Sequence, residues 1–266
     1  MIQKQFAEKA VEKLKTDSQV LGLAAGGSYI TNELDEFSDL DLVLVTKEKI
    51  SGQKEKMLEY ASKMGQFIDG FTGEHVGEPR VLICLFETPL LHVDIKFVTA
   101  EEFKERVENP VILWERGNIL SEIIKTTEAS WPKLDFQWIE DRFWIWVHYI
   151  TLKIGRGEYF EALDSISYLR MNVISPLLQI KNSQLPKGLR KIEFNFDTTD
   201  FESLKKTVPE YEVSSIIRSL EKEIELYNEF RKKLYPGDVV LKNELQKKVM
   251  EYFTKIKTKV QSTDEE

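Results

Sequence analysis

Cysteine is almost absent: Cys84 is the one thiol in 266 residues. A lone cysteine excludes an intrachain disulfide and any zinc site built from several thiolates. Its place in the apolar stretch 81–86 makes it a core side chain rather than a nucleophile. Histidine is scarce too, and no two of His75, His92 and His148 stand four apart as a helical zinc site requires. His92 is therefore read as a structural strand residue. No run of about 18 apolar residues occurs, which excludes a membrane-spanning helix. Met1-Ile2-Gln3-Lys4 leads into an amphipathic helix instead of a signal peptide, so the expected compartment is the cytoplasm. Internal repeats and low-complexity segments are also missing.

Positive charge is short in one half only. Residues 1–134 hold 16 basic and 23 acidic residues, a net of −7, whereas residues 135–266 hold 21 and 22, a net of −1. An acidic half repels a polyphosphate backbone, which argues against long nucleic acid and favours a small cationic partner. With 42% hydrophobic and 31% charged residues the chain can fold, and its length suits two modest domains, each with its own core.

The apolar spacing divides the chain. Phe6, Ala7, Ala10, Val11 and Leu14 predict a helix over 3–16, and strands are predicted at 20–25 and 39–46, with a short helix from Ser28 between them. A helix is expected over 47–64, then a glycine-rich loop over 65–79 with a short strand at 67–71. Residues 80–86 and 91–98 predict two strands joined tightly enough for an antiparallel hairpin. Residues 99–102 resemble a helix start and Pro110 its end; 111–114 suit an edge strand, and 118–125 fit either helix or strand. Ser130-Trp131-Pro132-Lys133 marks a boundary between domains 1–132 and 133–266. Beyond it the pattern is helical, at 137–154, 159–180 with an interruption at Pro176, 201–207, 210–234 and 238–260, with residues 262–266 expected to fray. Trp138, Trp144 and Trp146 are assigned to the core of that bundle.

The chemistry concentrates in residues 24–45. Asp39 and Asp41 lie on one face of a strand whose other face carries Leu40, Leu42 and Leu44. Two adjacent carboxylates need a proton or a cation between them, which suggests a divalent metal. Gly26 and Gly27 permit close backbone approach, and a helix starting at Ser28 would aim amide groups at an anion such as phosphate. Leu91, Val93, Ile95 and Phe97 alternate with His92, Asp94 and Lys96, which sets Asp94 and Lys96 on one polar strand face.

Gly27-Ser28, ten further residues and then Asp39-Leu40-Asp41 in an apolar strand resemble the signature of the polymerase-beta-type nucleotidyltransferase superfamily, and Asp94 supplies the third carboxylate that this pattern needs. The order of a catalytic domain and a helical bundle resembles the bacterial enzymes that modify aminoglycoside and lincosamide antibiotics. Tyr29-Ile30-Thr31 departs from many of them, where an arginine is frequent. The resemblance implies an α+β fold: a mixed sheet flanked by helices over 1–132, followed by an all-α bundle over 133–266. It implies that Asp39 and Asp41 bind two Mg2+ ions, and that Asp94 binds the ion nearer the acceptor and takes its proton. Gly27 and Ser28 would hold the β- and γ-phosphates, with Lys96 a phosphate or acceptor contact.

The expected activity is Mg2+-dependent transfer of a nucleoside monophosphate, most simply AMP from ATP, to a hydroxyl of a small acceptor such as an aminoglycoside. Glu140 and Asp141 either complement their helix dipole or bind that cationic acceptor. The alternatives are a protein or RNA acceptor and a catalytically idle nucleotide-binding module.

Overall fold

The computed structural model describes residues 1–87 and 89–263. The chain divides into two compact units, Met1–Pro132 and Lys133–Glu266. Unit one opens with helix α1 (Ile2–Leu14), which buries the row Gln3, Ala7, Ala10 and Leu14. Strand β1 (Val20–Ala25) is buried throughout, and it leads through a three-residue 3-10 turn, Gly27–Tyr29, towards β2 (Leu40–Thr46). Ser28 therefore lies inside a tight turn and does not start an α-helix. Asn32 takes a left-handed conformation at φ 57°, and in residues 31–38 only Leu34 is buried, too little to carry a helix forward.

Helix α2 (Lys54–Met64) begins later than the 47–64 pattern suggested, because Gly52 at φ 83° turns the chain just before it. The glycine-rich loop contains a full strand, β3 (Phe67–Gly73), followed by β4 (Glu78–Phe86) and β5 (Leu91–Thr99). Within the β4–β5 connection, Thr88 lies outside the described residues. Thr99 and Glu102 form a capping box on α3 (Ala100–Phe103), which stops well short of Pro110. Strand β6 (Val111–Glu115) and helix α4 (Ile119–Thr126) complete the unit.

Among the described residues the strands form one mixed sheet in the order β3-β4-β5-β2-β1-β6, with β6 at an edge. β2 and β5 pair in parallel, while β1–β2, β1–β6, β3–β4 and β4–β5 are antiparallel. One face buries Leu40, Leu42, Leu44, Val93, Ile95 and Phe97 against α1 and α2. On the other face Leu21, Ala24, Val45 and Val98 pack with Phe103, Leu120 and Ile123 of α3 and α4. α4 lies so close to β1 that a Cβ at Gly22 would come within 2.8 Å of the Leu120 methyls. That face changes along each strand, from Asp41 to Val45 and from His92 to Val98, so its polar end lies beyond this apolar cluster.

Unit two is helical: α5 (Phe136–Gly155), α6 (Tyr159–Leu169), α7 (Ser175–Lys181), α8 (Ile192–Asn195), α9 (Thr198–Lys205), α10 (Val213–Leu234) and α11 (Asn243–Thr263). Residues 264–266 of the tail expected to fray lie outside the described residues, and Ser262 belongs to α11. A π-helical turn, Arg170–Ile174, joins α6 to α7 immediately before Pro176. Proline offers no N–H and crowds the carbonyl four residues back, and one wider turn relieves both problems without ending the helix. Phe143 stacks on Tyr227 at 3.5 Å in the centre of this core. Trp144 is fully buried, whereas Trp138, 38% exposed, meets Trp146 at the surface at 5.5 Å. Trp144 thus lies in the core, Trp146 packs partly buried against it, and Trp138 is exposed. Among the described residues no helix is long and apolar enough to cross a membrane.

Candidate active site

The sheet register decides where the carboxylates stand. Asp41 is the direct partner of Asp94 in the parallel β2–β5 ladder, with Leu40 opposite Val93 and Leu42 opposite Ile95. Asp39 precedes β2 by one residue, on the side of the strand that Asp41 occupies. One carboxylate oxygen from each of Asp39, Asp41 and Asp94 lies within 4.8 Å of the others, and Asp41 and Asp94 are half-buried.

This donor set suits a hard divalent cation. Mg–O distances of about 2.0–2.1 Å allow two oxygens on one ion to stand about 4.2 Å apart, so small side-chain rotations would let the three reach a shared ion or an adjacent pair. Without a cation the set is strained electrostatically. At an effective dielectric of about 20, two unit charges at that spacing repel by roughly 4 kcal/mol before solvent screening. His92 Nε2 lies 2.9 Å from Asp94 Oδ1, so this strand neighbour touches the acidic group.

The glycine turn is built onto the same place. Gly26 N–H donates to the Asp41 carbonyl at 2.9 Å, and Gly27 adopts φ 56°, a conformation that favours glycine. The Gly27 amide donates to the carboxylate of Glu108 at 3.0 Å. An internal anion therefore occupies the amide expected to meet phosphate. A Cβ on Gly26 would stand 3.4 Å from that same oxygen and 3.6 Å from the Asp41 Cβ.

Lys96 is two residues beyond Asp94 and pairs with Glu78 at 2.9 Å. Glu78 is also gripped by Arg80 through Nε and Nη2, each at 2.7 Å. The Arg80 hydrogen bond, with Lys96 adding to it against the cost of burial, holds the Glu78 carboxyl down at about 2. Lys96 is thus shared with an internal carboxylate.

Cys84 is buried, and desolvation, with Asp94 and Asp69 adding, pushes its thiol up to about 12, which leaves it inert. In unit two, Glu140 is wholly buried and paired with Arg231, which removes it from any acceptor surface. Asp141 pairs with Lys242 at 3.0 Å.

Three participants escaped the sequence reading: Glu108, the Glu78–Arg80 pair and Gln3. Glu108 lies 81 residues from its amide partner, and no local periodicity links the two. Glu78 falls in the glycine-rich stretch 65–79, which reads mostly as loop, and Arg80 opens the predicted strand 80–86 with nothing local to pair the two. Gln3 did leave a signal, since it stands on the same helical row as Ala7, Ala10 and Leu14.

The sequence model of the nucleotidyltransferase domain family matches residues 7–125, a span containing Gly27, Ser28, Asp39, Asp41, Asp94 and Lys96. No curated protein matches the chain. Among solved structures, an aminoglycoside 6-adenyltransferase from Bacillus subtilis is similar at 14% identity, covering 96% of this chain and 98% of that one, with a TM-score of 0.39. A spectinomycin adenyltransferase from Enterococcus faecialis, solved with ATP and spectinomycin, is similar at 12% identity with the same coverage and a TM-score of 0.30. Neither likeness is close enough to speak for a substrate.

Proposed function

Because residues 7–125 belong to the nucleotidyltransferase domain family, we propose that this enzyme uses Mg2+ to move a nucleoside monophosphate, most simply AMP from ATP, onto a hydroxyl of a small cationic acceptor of the aminoglycoside type. The observation that carries the reading is the gathering of Asp39, Asp41 and Asp94 within 4.8 Å of one another beside a glycine turn anchored on the Asp41 carbonyl. Asp39, Asp41 and Asp94 would hold the cations. When bound, divalent ions supply positive charge for the attacking and leaving oxygens of an in-line displacement.

The chain's own groups account for the other requirements. The Gly27 amide and the Ser28 hydroxyl offer donors to the terminal phosphates, in competition with Glu108. Lys96 adds positive charge on the polar strand face, in competition with Glu78. The acceptor oxygen bonds to the α-phosphorus, the bond to pyrophosphate breaks, and the acceptor's proton passes to the Asp94 carboxylate. The net charge of −7 over residues 1–134 favours approach of a cation, which is the reason for choosing an amino-sugar over a nucleic acid.

The test is incubation with labelled nucleoside triphosphates, Mg2+ and a panel of aminoglycosides and lincosamides, read by the mass of the acceptor and by pyrophosphate release. An acceptor heavier by one nucleotide, formed by the wild type and not by Asp41→Asn, is the expected result. Equal turnover by Asp41→Asn would defeat the assignment of the site.

A further inference from the structure

Asp39 lies outside the strand, so something other than the ladder has to hold it beside Asp41. The four-residue turn before it, Asp35 to Ser38, closes on itself. The Asp35 carboxylate accepts from Phe37 N at 2.9 Å and from Ser38 Oγ at 2.8 Å, while Asp35 N donates to Ser38 Oγ at 2.9 Å. Packing does not fix the tip of this turn, because Phe37 is 88% exposed. Gln3 holds it from beneath. Its Nε2 donates to the Asp35 carbonyl at 2.8 Å and to the Ser38 carbonyl at 2.7 Å.

The Ser38 carbonyl belongs to the planar peptide that carries the Asp39 nitrogen. Fixing that oxygen fixes the plane from which Asp39 departs. Both partners are carbonyl oxygens, which can only accept, so the amide of Gln3 has to face them through its nitrogen. Its Oε1 is buried with no hydrogen-bond partner. The side chain is 1% exposed, on a row otherwise filled by Ala7, Ala10 and Leu14. An apolar residue would suit that row better, and the two donated bonds are what the glutamine adds.

We propose that Gln3 is a positioning residue, which clamps the peptide preceding Asp39 and so keeps that carboxylate in register with Asp41 and Asp94 for a divalent cation. This rests on the metal-binding role assigned above. Partners that orient a ligand directly are worth about 10–100-fold in metal affinity, and the clamp on the Ser38 carbonyl acts one peptide removed from Asp39.

The test is Mn2+ binding to the full chain, followed by the electron paramagnetic resonance of the free ion, with melting temperature measured alongside. Gln3→Met keeps the volume and removes both donors, and is expected to weaken Mn2+ binding about 10-fold, the lower end of that range. Leu14→Ala, which opens the same helix face away from the turn, is expected to lower the melting temperature and leave Mn2+ affinity at the wild-type value. Ser38→Ala, which loosens the turn from its solvent side, is expected to weaken Mn2+ in the direction of Gln3→Met. Wild-type affinity in a folded Gln3→Met overturns the inference, and if that variant does not fold, wild-type affinity in Ser38→Ala does so. Absence of Mn2+ binding by the wild type, or unchanged binding by Asp41→Asn, overturns the metal role itself and the inference with it. The two failures are thus told apart.

Discussion

Asp41 and Asp94 are direct partners across the parallel β2–β5 ladder, and they are held together by residues that face the other way. A one-residue slip would turn Leu40, Leu42 and Leu44 out of the core and bring Asp41 in. All three leucines, and Val93, Ile95 and Phe97 opposite them, are at most 1% exposed. Burial of about 1.5–3 kcal/mol per such side chain outweighs the repulsion between the two carboxylates. Hydrophobic pattern on one face thus imposes an electrostatic arrangement on the other.

It follows that neutralising either member should separate activity from stability. Asp94→Asn is expected to lower pyrophosphate release about a thousandfold, the equivalent of about 4 kcal/mol of lost charge stabilisation. In metal-free buffer the same variant should melt no lower than the wild type and gain about 0.2–1 kcal/mol, because like charges directly opposite each other are destabilising. Added Mg2+ should then stabilise the wild type more than the variant. Thermal melts with and without Mg2+ check this, and a variant that melts lower in metal-free buffer contradicts it.

The carboxylate of Glu108 on the Gly27 amide, at 3.0 Å, sets up a second expectation. A triphosphate that uses this amide has to displace an anion already there. Glu108→Gln keeps the shape but removes the charge, and charge-assisted bonds are roughly twice as strong as neutral ones. The variant should lower KM for the triphosphate about tenfold, with kcat nearly unchanged. Steady-state kinetics at saturating acceptor test this, and a raised KM would show instead that Glu108 supports the turn.

How far the sequence foretold this arrangement depends on the range of the interaction. Leu40, Leu42 and Leu44 alternate with Asp39, Asp41 and Val43, so the face of β2 was readable from period two alone. The β4–β5 hairpin was readable for the same reason, and with it the face of Asp94. The pairing of β2 with β5 was not, since some fifty residues separate them and nothing local names a parallel partner. Gly-Gly-Ser locally favours a helix start at Ser28; the left-handed Asn32 and the segment after it turn the chain instead. The strand face alone marks Lys96 as a phosphate or acceptor contact, and nothing local in the glycine-rich stretch 65–79 points to its Glu78 partner. Glu140, at the start of a helix, had the look of a dipole-complementing surface residue. Only the folded arrangement of α5 and α10 places it opposite Arg231.

That burial makes Glu140 a structural anchor of unit two. It is 0% exposed and accepts from Tyr227 OH at 2.6 Å, Arg231 Nε at 2.9 Å, Arg231 Nη2 at 2.5 Å and the Lys242 amide at 2.7 Å. Breaking a buried pair by removing one partner leaves the other charge uncompensated. Glu140→Ala should therefore cost about 3–5 kcal/mol in urea denaturation. Glu221→Gln, which breaks the half-exposed pair with Lys257, should cost less, about 1 kcal/mol. Similar losses from both would mean that Arg231 finds other acceptors.

Glu223 presents the opposite case, a buried carboxyl without a partner. It is 0% exposed, neither oxygen has a hydrogen-bond partner, and burial raises its pKa well above 4.5 although Arg170 pulls the other way. The sign of the resulting pH dependence is fixed. Below the unfolded value near 4.5 both states hold the proton and stability is undiminished. As pH rises, the unfolded chain releases its proton while folding must retain one, so stability falls until the folded value is passed. The slope is about 1.4 kcal/mol per pH unit for one such group. Glu223→Gln has no proton to retain, so it should match the wild type near about pH 4 and exceed it in stability by about 1 kcal/mol or more near about pH 6. Urea denaturation at the two pH values decides the matter. Parallel pH profiles for wild type and variant would mean that the folded protein ionises Glu223 as readily as the open chain does.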